Sequence, residues 1–65
     1  MEIPEEIDNY MRQVNDLAGE ILDLSAKGEE LAENESQHLF FTVVRDCAFK
    51  IKQEFKRVKG DFLSR

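Results

Sequence analysis

From Ile3 to Leu24 the apolar residues fall at Ile3, Ile7, Tyr10, Val14, Leu17, Ile21 and Leu24, in alternating steps of four and three, with Met11 and Ala18 widening the stripe. That spacing predicts an amphipathic helix carrying a heptad seam. Period-two alternation, which would mark a strand, occurs nowhere in the segment. Pro4 suits the first helical position because its missing N–H would have no partner there in any case. Glu5, Glu6 and Asp8 add negative charge at the positive end of the helix dipole. Both features start the helix near residue 4.

A second set follows the same rule: Phe40, Val44, Cys47, Ala48, Ile51, Phe55, Val58 and Phe62 again advance in three- and four-residue steps. This predicts a second amphipathic helix over about 37–62, with Gly60 near its fraying end. Between the two lie competing stop signals. Lys27-Gly28 reads as a cation in the last turn followed by a left-handed cap, which leaves Glu29, Glu30 and Glu33 near the start of the next helix, where the dipole favours them. On that preferred reading helix 1 spans about 4–27 and the connection about 28–36. The rival carries helix 1 through Gly28, keeps Leu31 in phase and turns at Asn34-Glu35-Ser36. A short connection makes the two helices antiparallel neighbours, so the expected fold is all-α, one helical hairpin covering residues 1–65.

One companion helix cannot cover everything apolar on the second. Phe49 lies almost opposite the main stripe, and Leu39, Phe40, Phe41, Val43 and Val44 wrap most of the circumference near the helix start. Two hairpins packed face to face would bury both sides, which predicts a homodimeric, coiled-coil-like four-helix bundle with Leu39, Phe40, Phe41, Val43 and Phe49 at the partner interface.

Size and composition push the same way. A 65-residue chain buries too little surface to be more than marginally stable alone, and a single cysteine and a single histidine rule out an intrachain disulfide or a Cys/His zinc site as reinforcement. No run of about 18 apolar residues is present to span a bilayer, and the acidic start lacks the layout of a secretory signal, so the expected location is cytoplasmic. Charge is unevenly distributed. Residues 1–44 hold 2 basic and 11 acidic side chains, a net of −9, and residues 45–65 hold 7 basic and 3 acidic, a net of +4, which together give −5. The hairpin sets the acidic arm beside the basic one.

Candidate chemistry is thin. Cys47 sits at core spacing from Val44 and Ile51 and reads as a small buried hydrophobe. His38, nine residues earlier and on another face, is no base for it. Neither Glu-x-x-His nor His-x-x-x-His occurs, so no metal site is expected. The acids of helix 1, Glu5, Asp8, Asp16, Glu20 and Asp23, read as the wet face of an amphipathic helix. No Gly-rich phosphate loop or nucleophile motif is present. No catalytic residue, cofactor or small-molecule substrate is therefore assigned. The sharper feature is a basic stripe of Arg45, Lys52, Lys56 and Lys59 within a sector of about 60° beside Phe49, a candidate face for an anionic partner. The overall charge of −5 argues against nucleic acid as that partner, and a membrane surface would need the helix to leave its bundle. The expected function is thus a non-enzymatic helical interaction module that self-associates and engages protein partners, as an adaptor, regulator or accessory subunit. A nucleic-acid-binding hairpin using the basic face of helix 2 is the alternative.

Overall fold

The computed structural model describes residues 4–63, with side chains described through Gly60. Two helices, α1 over Glu5–Leu31 and α2 over Glu35–Leu63, pack as a hairpin measuring 48 × 19 × 13 Å. Ile3 and the side chain of Phe62, both counted in the expected stripes, lie outside the described residues.

Pro4 sits just before α1, and its carbonyl accepts the first helical hydrogen bond, from the Asp8 N–H at 2.9 Å. Glu5, Glu6 and Asp8 occupy the first turn, as the dipole favours. The connection is only residues 32–34. Ala32 leaves the helix in an extended conformation at φ −63° and ψ 131°, and Asn34 caps α2, its Oδ1 accepting from the Gln37 N–H at 2.9 Å. Gln37 Oε1 reaches back to accept from the Glu33 N–H at 2.6 Å, so two otherwise unpaired backbone donors are satisfied by an Asn-x-x-Gln pair.

The turn therefore falls beyond Gly28, and the preferred boundary at Lys27-Gly28 is corrected. Gly28 has no positive φ; it continues the helix. Two tertiary facts outweigh the local signal. A Cβ at Gly28 would run into the ring of Phe41, so glycine is where α1 lets that aromatic side chain approach its backbone. Glu29, poorly placed at the negative end of α1, is held from α2: Thr42 Oγ1 donates to it at 3.1 Å and Arg45 Nη1 at 3.3 Å.

The seam joining the helices is also not the stripe of large apolar residues. On α1 it runs Asp8, Met11, Asn15, Ala18, Leu22, Ser25, Glu29 and Ala32, a second heptad track one residue out of phase with Ile7, Tyr10, Val14, Leu17, Ile21 and Leu24, hence about 100° round the helix. Small side chains set the spacing. Ala18 and Ser25 on α1 and Ala48 on α2 are the buried residues among those described, and the Ser25 hydroxyl is satisfied by the Leu22 carbonyl at 2.9 Å. On α2 the half-buried Phe41, Val44, Phe55 and Val58 complete the contact. Cys47, expected in the core, is exposed: Val44, Ala48, Phe55 and Val58 of the expected stripe make the contact together with Phe41, and Cys47 stands at the edge of that stripe, on the wall of an open groove.

Two glycines separate packing from propensity. Gly19→Ala should raise stability by up to about 1 kcal/mol, since a Cβ there meets only Lys52 Nζ at 3.8 Å and alanine favours the helix. Gly28→Ala should instead cost about 1–3 kcal/mol by displacing Phe41. Urea unfolding followed by circular dichroism would measure both, and equal stabilisation by the two changes would contradict the assigned role of Gly28.

Candidate protein-interaction face

The displaced seam leaves large apolar side chains outside. Along α1, Tyr10 is 66% exposed, Leu17 56% and Leu24 62%, with Ile7 and Val14 about half exposed. On α2, Phe40, Val43 and Ile51 are exposed as well. Because the helices are antiparallel, turning about 100° from the seam in the same sense on each brings both sets to one side of the hairpin. Between them runs an apolar groove of about 620 Å³, walled by Ile7, Tyr10, Met11 and Val14 of α1 and by Cys47, Ile51, Phe55 and Val58 of α2. Lys50 and Glu54 stand on its α2 rim.

The residues expected at a partner interface divide. Phe40 and Val43 lie on or beside the apolar side, and Leu39 points away from α1 along the outer edge of α2. Phe41 is half-buried against Gly28, with its ring edge-on to Phe40 at 5.3 Å and 80°. Phe49, 50% exposed, sits on the opposite, charged side. Absent from the expectation are Ile7, Tyr10, Val14, Leu17 and Leu24. Their heptad is plain in the sequence, but it reads as the hairpin seam until the second, small-residue track is recognised beside it.

The basic stripe is placed largely against α1. Lys59 pairs with Asp8 and also lies over the Phe55 ring, with Nζ 6.0 Å from the centroid; Arg45 pairs with Glu29 at 3.3 Å; and Lys52 reaches across to Gly19. Lys56 is exposed. Three of the four cations offered to an anionic partner thus face the acidic helix of their own chain. Arg57 is held at 3.0 Å to Glu54, and that pairing keeps the Glu54 carboxyl below its ordinary value.

His38 is exposed, and no three His, Cys, Asp or Glu side chains converge among the described residues. No described helix is long and apolar enough to cross a membrane. Comparison with family models, with curated proteins and with solved structures finds no match for the chain.

At the open end of the hairpin, Asp8 accepts from both Lys59 and Arg12, the latter at 2.8 Å, and these donors hold its carboxyl below the ordinary 3.8. With the folded value the lower one, the pairing stabilises the fold above about pH 4, and that contribution is lost as pH falls through the folded value. Asp8→Asn should therefore lower the urea midpoint at pH 7, and the gap to the parent should narrow as the pH is taken progressively below about 4. A gap between the two that is unchanged across that range would disprove the linkage.

Proposed function

We propose that the chain is a non-enzymatic helical protein–protein interaction module, an adaptor, regulator or accessory subunit, and that its apolar side docks a second copy to complete a four-helix bundle. One observation carries this reading: the largest apolar residues of α1 are mostly exposed, while the described buried residues are Ala18, Ala48 and Ser25.

The magnitude supports a working surface over incidental exposure. Burying a large apolar side chain contributes about 1.5–3 kcal/mol, and a small domain's whole stability is only about 5–15 kcal/mol. Tyr10, Leu17, Leu24 and Phe40, each more than half exposed, together forgo a sizeable share of that amount. Scattered surface leucines are ordinary; a continuous heptad stripe on one helix facing another across a groove is the pattern of an interface. The area also suffices, since the broad side of a hairpin 48 Å long and 19 Å wide can supply the about 800 Å² per partner that stable interfaces bury. The ion pairs Arg45–Glu29 and Lys59–Asp8 occupy cations that a nucleic-acid surface would need, so the alternative gains no support from the fold.

Sedimentation equilibrium at tens of micromolar should give about twice the 7.6 kDa chain mass. Leu17→Asp, at the centre of the exposed stripe, should shift the equilibrium to monomer and lower the helical signal at 222 nm in a concentration-dependent way. A 7.6 kDa species whose helicity is the same at every concentration would overturn the proposal.

A further inference from the structure

We infer that the second copy docks with its loop at the same end, so that α1 of each chain lies against α2 of the other and the two-fold axis runs along the bundle. This rests on the self-association proposed above and specifies its arrangement. Face-to-face packing of two hairpins permits only two symmetric solutions. In one the loops sit together and α1 meets α2; in the other the loops sit at opposite ends and each helix meets its own copy.

Charge separates them. With eight acidic and two basic residues α1 carries −6, and with four acidic and six basic residues α2 carries +2. Packed helices stand about 8–10 Å apart, close to one Debye length, so their net charges are not fully screened. Loops together sets −6 beside +2; loops apart sets −6 beside −6. The rim repeats the pattern in detail. The contacts Asp8–Lys59, Gly19–Lys52 and Gly28–Phe41 put residues 20 and 50 at the same height, and Glu20 and Lys50 stand on the flanks bordering the apolar side. Loops together brings Glu20 of one chain to Lys50 of the other. Loops apart pairs α2 with itself about its midpoint, bringing Lys50 toward Lys50 and Glu54 toward Asp46. Rim charges of this kind select orientation more than they add affinity.

A second observation, independent of charge, agrees. Leu31 is 80% exposed and Leu39 64%, at the outer edges of α1 and α2 beside the connection and at similar heights. With loops together, Leu31 of one chain comes alongside Leu39 of the other and is covered. With loops apart, Leu31 meets the opposite end of the second α1, and Leu39 the region of Gly60.

The test is a distance between connections. A nitroxide on Glu33→Cys in a Cys47→Ala background places one spin in the exposed turn of each chain. Double electron–electron resonance should give a separation of about 2–3 nm if loops lie together, from interhelical spacing plus label arms. A separation near the hairpin length of 48 Å overturns the arrangement while leaving self-association intact. No dipolar coupling, together with a 7.6 kDa mass, overturns self-association itself. Charge exchange gives a second readout: Glu20→Lys should weaken the dimer severalfold, and adding Lys50→Glu should restore it. Additive weakening by the two changes counts against the pairing.

Discussion

Two helices in contact bury one stripe on each, and this chain carries more apolar stripe than a single contact can cover. Its resolution is a division of labour between two heptad tracks on α1 set one residue apart. The track of small and polar residues, with Ala18 and Ser25 at its centre, makes the contact with α2. The track of large residues from Ile7 to Leu24 is left for something else. Close approach explains the choice. Alanine, serine and glycine let backbones draw together, so Ala48 and the Phe41 ring fit against α1 where a leucine pair would hold the helices apart.

The polar groups of the seam follow from this geometry. Charged side chains near the ends of the seam reach across it, and acidic α1 meets basic α2 at Asp8–Lys59 near one end and Glu29–Arg45 near the other. Such half-exposed pairs contribute modestly to stability. Their larger role is in register, because a shift by one turn would separate both pairs and move Phe41 off Gly28. The Asn34–Gln37 cap then permits a three-residue connection by satisfying the backbone donors that so short a turn exposes.

The same division shapes the proposed function. A helix in a four-helix bundle touches two neighbours, about 90–100° apart around its axis, and the separation of the two tracks on α1 matches that requirement. The hairpin uses one neighbour direction and leaves the other open. Its charged side holds Phe49 among polar residues, so the hairpin has one extended greasy side and one wet one.

The sequence by itself determined that the chain is helical, that it folds back once, and that its hydrophobic surface exceeds what one hairpin can shelter; heptad spacing, Pro4 and the charge asymmetry are local signals that survive any packing. Only the tertiary structure decided where the turn lies and which stripe faces which helix. At Gly28 the local cap signal lost to a ring packed from 13 residues further along, and no reading of neighbouring residues contains that contact. Likewise, periodicity reports that a face is apolar without saying what covers it, so the stripe of Ile7, Val14 and Leu17 looked the same whether it met α2 or lay open. Cys47 shares a stripe with Val44, Ala48 and Phe55, and spacing alone did not say that they would meet α1 while it stayed exposed. A rotation of about 100° between the two overlapping heptads of α1 leaves the pattern of spacings intact and changes which of its side chains meet α2, and that rotation is set by which side chains allow the two backbones to approach.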